Sequence, residues 1–170
     1  MPRLALLNNW LKKQWPDTPY TLEVASADAS FRQYYRAILA DASYIIMDAP
    51  PEHEDCRPFI QVAKLFEAAG AHVPHIYAKN LEDGFLILSD LGNTTYAQEL
   101  NDATAKTLYL DAIDALIRIQ SASKTGILPA YDEALLNREL QLFPDWYIAK
   151  HLQKTLSPQQ EKDLSTCFAL

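Results

Sequence analysis

Two strand patterns meet at Asp28-Ala-Ser-Phe-Arg-Gln-Tyr-Tyr-Arg36, and this connection constrains the fold more than any other part of the chain. Before it, residues 20–25 alternate between apolar and polar, and after it residues 34–40 form a second strand pattern. Small polar residues let backbone N–H groups line an anion-binding concavity, while Arg32 and Arg36 add forked donors that suit phosphate. An ordinary hairpin loop has the same composition. This stretch alone therefore leaves both a phosphate-binding loop and a plain hairpin open.

The composition indicates a globular protein that does not bind nucleic acid. A chain of 170 residues is long enough for one domain, or for one domain plus a fragment of another. Hydrophobic residues make up 49% of it, which is enough to build a core. The net charge of -7 argues against a polyanion-binding surface, so any phosphate site has to be local.

Cysteine usage and hydropathy indicate the compartment. Cys56 and Cys167 lie far apart and form no metal-binding or disulfide pattern, which is typical of reduced thiols in the cytoplasm. No apolar run approaches the length of a membrane span. We therefore expect a soluble cytoplasmic protein that has no membrane partner and no metal ligands in this chain.

The predicted elements fall into a strand-rich part followed by a helical part. A short helix ending before Pro16 precedes three strands, and Asp55 then caps a helix that Gly70 closes. Two more strands are joined through Glu82-Asp83-Gly84, a strong hairpin signal. The predicted strands cover residues near 20–25, 34–40, 43–48, 76–78 and 85–88. The fold class is therefore α+β.

Helices follow the last strand. Asn101 is expected to open a long helix that ends by Gly126, residues 133–153 form one or two helices, and Ser157 and Pro158 begin another. We place the domain boundary between a strand-rich lobe, 1–91, and a helical lobe, 92–170. The apolar residues of the final helix predict a chain that is cut short, and the alternatives are that this helix docks back on the preceding helices or on a second copy of the protein.

Several short sequence motifs, taken in their order along the chain, resemble those of one family. The element order resembles that of the protein-kinase-like amino lobe, which implies an antiparallel five-stranded sheet plus a helix, followed by the first helices of a truncated helical lobe. The sequences 28–36, 44–52, 55–60, 85–92 and 136–147 together resemble the aminoglycoside phosphotransferase (APH) superfamily. Within it they are most similar to the bacterial anomeric kinases for N-acetylmuramate and N-acetylglucosamine. The resemblance covers nearly the whole chain and implies an ATP- and Mg²⁺-dependent amino-sugar kinase of cell-wall recycling.

The resemblance also implies which residues bind nucleotide. The loop between the first two strands would cover the phosphates, and the hinge between the lobes would bind adenine. The residues placed there are Ser30, Phe31, Arg32, Met47, Ser89, Asp90 and Leu91. Kinase-like folds usually carry a Lys on the third strand that pairs with a helix Glu. Here Met47 and Asp48 stand on that strand and Phe59 or Gln61 on the helix, so Arg32 or Arg36 is expected to replace the Lys in part.

The helical segment 136–147 would face the sugar. Glu139 is expected to accept hydrogen bonds from sugar hydroxyls, and Trp146 and Tyr147 offer flat faces to a sugar ring. Packing in a core is the alternative role for both aromatic rings, and it is the role that we favour.

The catalytic loop of the family is missing from the sequence. Phosphoryl transfer needs a His-Gly/Arg-Asp loop with a following Asn, and a later Asp for Mg²⁺. Asp145 and Asp163 lack that flanking sequence. No catalytic residue is therefore assigned here, and the chain alone is expected to be inactive.

Two other functions stay open. One is a non-catalytic nucleotide-binding or interaction module, which the missing loop favours. The other is a phosphotransferase acting on an aminoglycoside or amino alcohol, whose acidic pocket the surplus of carboxylates would allow.

Overall fold

The structure is a computed structural model that describes residues 2–27 and 30–169. The chain forms two compact units, 1–123 and 124–170. Asp28 and Ala29, which belong to the connection between the first two strands, lie outside the described residues.

The first unit alternates helices and strands in the predicted order. Its elements are α1 (Arg3–Gln14), β1 (Thr21–Ala27), β2 (Gln33–Ile38), β3 (Ser43–Asp48), α2 (Cys56–Ala68), β4 (Ile76–Asn80), β5 (Phe85–Ser89), α3 (Tyr96–Glu99) and α4 (Ala105–Ala122). The strands form one sheet in the order β1-β2-β3-β5-β4, and every neighbouring pair is antiparallel. The five-stranded antiparallel sheet and the α+β class are thus confirmed, and the sheet with its helix matches a kinase-like amino lobe.

The sheet is buried on both faces. On one face, Leu7 and Leu11 of α1 pack with Ile46 and Phe85. On the other, a cluster that includes Met47, Leu86 and Cys56 is joined by Phe59 of α2. Successive side chains of a strand point to opposite faces, which explains why Ile46 and Met47 belong to different clusters. We call these the α1 face and the α2 face.

The predicted alternation in β1 is wrong at Val24. Tyr20 and Leu22 pack against the α1-face cluster, but Val24 is 77% exposed. The pairing with β2 shifts between Val24 and Ser26, so Ala25 is an extra residue in a β-bulge. Val24 comes before the bulge and pairs with Tyr35 in the same register as Leu22 with Ala37, so it lies on the α1 face at a position that the cluster of this face does not cover.

Arg3 ties α1 to the end of β3. Its Nε donates to Asp48 Oδ1 at 3.0 Å, and its Nη2 donates to Asp48 and, at 2.8 Å, to the carbonyl of Asp83. Asp48 is 3% exposed, and the guanidinium lies 4.9 Å from the centroid of the Phe85 ring. A buried carboxylate is rare unless it is paired, so this ion pair fixes where α1 sits on the sheet.

Replacing Arg3 is therefore expected to destabilise the first unit. An Arg3→Ala change leaves Asp48 buried without its cation, and we expect a loss of about 2 kcal/mol of unfolding free energy. The value is below that of a fully buried pair because the Arg3 side chain is 30% exposed. Urea unfolding at neutral pH measures it. Arg57→Ala, which removes an exposed pair with Asp55, should change stability by less than about 0.5 kcal/mol, and an equal loss in both variants would contradict the role of Arg3.

The helices after β5 differ in detail from prediction. Asn101 does not open the long helix, because its Oδ1 accepts hydrogen bonds from the amides of Ala103 and Thr104 and closes a turn. The helix α4 begins at Ala105, and a short capped helix, α3, precedes it. Asn side chains often satisfy local amides in this way, in competition with a helix.

The second unit consists of helices. They are α5 (Glu133–Leu140), a π-helix (Phe143–His151) and α6 (Pro158–Phe168). Pro144 is the second residue of the π-helix, and Ser157 and Gln160 form a capping box at the start of α6. Within the described residues, no helix combines the length and the apolar character that crossing a bilayer demands.

Candidate functional site

The loop after β1 is attached to the turn before α2. The Phe31 ring stacks on His53 with their centroids 4.3 Å apart, and the Phe31 amide donates to Glu54 Oε1 at 3.3 Å. Arg32 Nη2 lies 3.1 Å from Glu54 Oε2. Pro50 shapes the turn, since its carbonyl accepts hydrogen bonds from the amides of His53 and Glu54. Glu54 thus holds both the backbone and a side chain of the loop.

Arg32 is half-enclosed and incompletely bonded. Its side chain is 28% exposed and that of Glu54 is 14% exposed. Burial lowers the pKa of Arg32, but the charge of Glu54 and the contacts with Tyr34 raise it by more. The net pKa is therefore raised, and the guanidinium stays charged. Among the described residues, Arg32 Nε is a buried side-chain donor with no acceptor. An unsatisfied buried donor costs about 1–3 kcal/mol, so the contacts with Glu54 hold Arg32 in this position against a cost.

The hinge after β5 is held by what we call the Asp90 cluster: Arg36, Ser43, Asp90 and Gly92. Arg36 donates to Asp90 through Nε at 2.6 Å and through Nη2 at 3.0 Å, and the same Nη2 donates to the Gly92 carbonyl at 3.2 Å. The Ser43 hydroxyl and the Gly92 amide also donate to Asp90, at 2.8 and 2.9 Å. Hydrogen bonds from Arg36, aided by Gly92 and Ser43, outweigh burial and hold the pKa of Asp90 far below its usual range.

The Arg32–Glu54 pair and the Asp90 cluster lie near opposite ends of β3. Asp48 pairs with Gln33, next to Arg32, while Tyr44 pairs with Ser89, next to Asp90. Four residue steps separate these pairs, about 14 Å along the strand. The side chains of Tyr34 and Arg36 share the α2 face because they alternate with Tyr35, which packs on the α1 face. An elongated ligand lying along this face would reach the loop with one end and the hinge with the other.

The other predicted nucleotide residues are placed as follows. Ser30 Oγ accepts a hydrogen bond from the Arg32 amide at 3.1 Å. Met47 has no exposed surface and lies in the α2-face cluster. Ser89 Oγ accepts from the His75 amide at 2.9 Å, which joins β5 to the chain before β4, and Leu91 is 53% exposed.

The predicted sugar residues lie in the second unit. Glu139 accepts a hydrogen bond from the Tyr131 hydroxyl, and both residues are exposed. Trp146 is 64% exposed and Tyr147 stacks between Phe143 and His151 along the π-helix. Within the described residues neither Trp146 nor Tyr147 is buried in a core, and their role stays a prediction.

Sequence reasoning missed Glu54, one of the acidic residues in 52–55, as the partner of Arg32. The signal was the surplus of acidic residues, since Asp55 alone supplies the cap of α2 by accepting from the Arg57 amide. It also missed the partner of Arg36. Neither pairing follows from sequence spacing. Across residues 2–27 and 30–169, no group of three His, Cys, Asp or Glu side chains is arranged to hold a metal ion.

Comparison with known proteins identifies the class to which this fold and site belong. The model of the phosphotransferase enzyme family (APH) matches residues 21–166, and the chain belongs to that family.

Curated relatives carry a more specific name. The chain is 52% identical over 160 residues to N-acetylmuramate/N-acetylglucosamine kinase of Pseudomonas aeruginosa, a match that covers 88% of the chain and 47% of the relative. The enzymes of that name from Pseudomonas putida and Neisseria meningitidis are 45% and 40% identical, with 94% and 95% of the chain and 50% and 49% of the relative covered. The chain spans about half the length of the curated relatives it matches.

Proposed function

We propose that this chain carries the nucleotide-binding lobe of an ATP-dependent amino-sugar kinase. The whole enzyme would transfer a phosphoryl group from ATP to the anomeric hydroxyl of N-acetylmuramate or N-acetylglucosamine in cell-wall recycling. Membership in the phosphotransferase family and the names of the curated relatives support the reaction class. In this proposal residues 1–91 form the lobe that binds nucleotide, and residues 92–170 belong to the helical lobe.

The observation that carries the proposal is the placement of Arg32. This arginine lies at one end of the α2 face with an unsatisfied donor, while the hinge lies about 14 Å away at the other end. ATP has the matching polarity, since its anionic phosphates lie at the end opposite to the adenine ring. We assign the phosphates to the loop 30–32 and the adenine to the backbone of residues 89–91.

The side chains near this face have distinct proposed roles. Arg32 binds a phosphate oxygen, whereas Arg36 is committed to the Asp90 cluster and keeps the hinge backbone in place. Met47 is buried in the α2-face cluster. In this proposal it supports the sheet and acts on the nucleotide only indirectly, through the residues that cover it. We place Glu139 and Trp146 on the sugar side.

Magnesium enters the proposal with ATP. The described residues supply no metal site, so its protein ligands are assigned to no residue of this chain. When bound, Mg²⁺ would neutralise charge on the transferring phosphoryl group.

Because the sequence lacks the family's His-Gly/Arg-Asp loop with its following Asn, we propose that these 170 residues bind ATP without transferring phosphate. The widely separated cysteines agree with action in the cytoplasm.

An ATP-consumption assay tests the reaction on the protein expressed from its whole coding region. We expect ADP release with N-acetylmuramate or N-acetylglucosamine well above the rate without acceptor, and no such increase with kanamycin. The reverse pattern would assign the protein to aminoglycoside phosphorylation. ATP binding measured by calorimetry, without turnover of any acceptor, would instead leave a non-catalytic nucleotide-binding module.

The 170-residue chain provides the second arm of this experiment. We expect it to bind ATP in calorimetry and to release no ADP with any acceptor. Release of ADP by this chain at the rate of the whole protein would contradict its proposed inactivity.

A further inference from the structure

We infer that Glu54 is the positioning residue for the phosphate-binding Arg32, an inference that rests on the proposed function. The Arg32–Glu54 pair would replace the Lys–Glu pair that kinase-like folds use for this purpose. It would do so with a cation from the loop before β2 and a carboxylate from the turn before α2, in place of a strand Lys and a helix Glu.

The geometry distinguishes Glu54 from a simple surface partner. Its carboxylate uses Oε2 for the Arg32 guanidinium and Oε1 for the Phe31 amide, so one side chain fixes the position and direction of the loop. The Phe31–His53 stack attaches the same two segments a second time. The Glu54 side chain is 14% exposed, so water screens this contact less than it screens the exposed Arg57–Asp55 pair.

The arrangement leaves Arg32 able to bind an anion. A guanidinium has five N–H donors, and the ion pair with Glu54 is made through Nη2. The Nε donor has no acceptor among the described residues. Arg36, the other arginine of this face, has Nε and Nη2 bonded to Asp90 and Gly92. The Arg32 side chain is 28% exposed and that of Arg36 is 18% exposed, so Arg32 is the more accessible of the two arginines to a phosphate.

The expected consequence is a selective loss of affinity for the phosphates. In the protein expressed from its whole coding region, Glu54→Gln should raise the Kd of ATP roughly tenfold, because the neutral amide no longer fixes the guanidinium. The Kd of adenosine, which lacks phosphates, should not change. Glu52→Gln is the matched control, since Glu52 is an exposed carboxylate two residues away, and it should bind both ligands like the wild type.

A double-mutant cycle tests whether Glu54 acts through Arg32. Arg32→Ala should weaken ATP binding at least as much as Glu54→Gln, and adding Glu54→Gln to Arg32→Ala should cause no further loss. Additive effects, unchanged ATP affinity in Glu54→Gln, or equal losses for ATP and adenosine would each overturn the inference.

The exchanged pair, Arg32→Glu with Glu54→Arg, covers the case in which a single variant fails to fold. It keeps opposite charges together, so we expect normal thermal unfolding but ATP binding still weakened roughly tenfold or more. Restored ATP binding would show that the pair is purely structural and overturn the inference. If the wild-type protein binds no ATP, the proposed function fails and the inference fails with it. If the wild type binds ATP and Glu54→Gln binds it equally, the inference alone fails.

Discussion

Gly84→Ala is expected to destabilise the first unit by about 4 kcal/mol, a large fraction of the roughly 5–15 kcal/mol by which folded domains are ordinarily stable. Gly84 ends the turn between β4 and β5 with a φ of +76°, a conformation that side chains disfavour. A Cβ added here would lie 1.8 Å from the carbonyl oxygen of Ala49. That backbone cannot move aside freely, because the Ala49 amide donates to the Gly84 carbonyl at 2.9 Å.

Gly70→Ala is the matched control for this prediction. Gly70 has nearly the same φ, +77°, but a Cβ at this position meets no atom within 4 Å. It should cost about 1 kcal/mol, the price of the backbone conformation alone. The difference between the two variants isolates the collision with Ala49.

Tryptophan fluorescence during urea unfolding measures both variants. The chain has three tryptophans, and Trp10 and Trp15 pack in the α1-face cluster of the first unit. A Trp146→Phe background therefore restricts the signal to that unit. Equal stabilities of Gly84→Ala and Gly70→Ala would contradict the prediction.

Features with local signals were predictable from the sequence. Asp55 caps α2, Ser157 begins α6 with its capping box, and Gly84 closes a hairpin, each as its neighbours in sequence indicate. In these cases the residue that carries the signal and the group it satisfies lie within a few positions. The five-stranded antiparallel sheet followed in turn from the family resemblance.

Features that depend on distant partners were not predictable. Arg36 and Asp90 are 54 positions apart, and Arg3 and Asp48 are 45 apart. No spacing rule joins such residues, because the sheet brings them together only after it has formed. The bulge in β1 was missed for a related reason, since the extra residue is defined by its pairing with β2. Sequence could therefore identify Arg32 as a phosphate candidate but could not identify Glu54 as its partner.

Asp90→Asn is expected to destabilise the first unit by about 3 kcal/mol at neutral pH. The change removes the charge that Arg36 faces, and the two side chains are 18% and 8% exposed, so water compensates little. Ser43 donates to Oδ2 and Gly92 to Oδ1, so the single amide oxygen of Asn keeps one of these two hydrogen bonds, which holds the loss below that of a fully broken network. Urea unfolding in the Trp146→Phe background measures it.

The pH dependence of the same variant identifies the charge as the cause. Because Asp90 has a lower pKa in the folded state than in the unfolded state, its contribution is fully present above the unfolded value of about 3.9. It is lost as the pH falls from there toward the folded pKa. The stability gap between wild type and Asp90→Asn should therefore be constant near neutral pH and shrink below about pH 4.

Asp55→Asn is the control that shows whether the loss of another carboxylate destabilises the first unit as Asp90→Asn does. Asn caps a helix about as well as Asp, and the ion pair that the change removes is exposed, with Arg57 and Asp55 side chains at 75% and 53%. Its cost should stay below about 0.5 kcal/mol at neutral pH. A gap for Asp90→Asn that persists unchanged at pH 3 would mean that shape and hydrogen bonding hold the hinge, and that the charge of Asp90 does not.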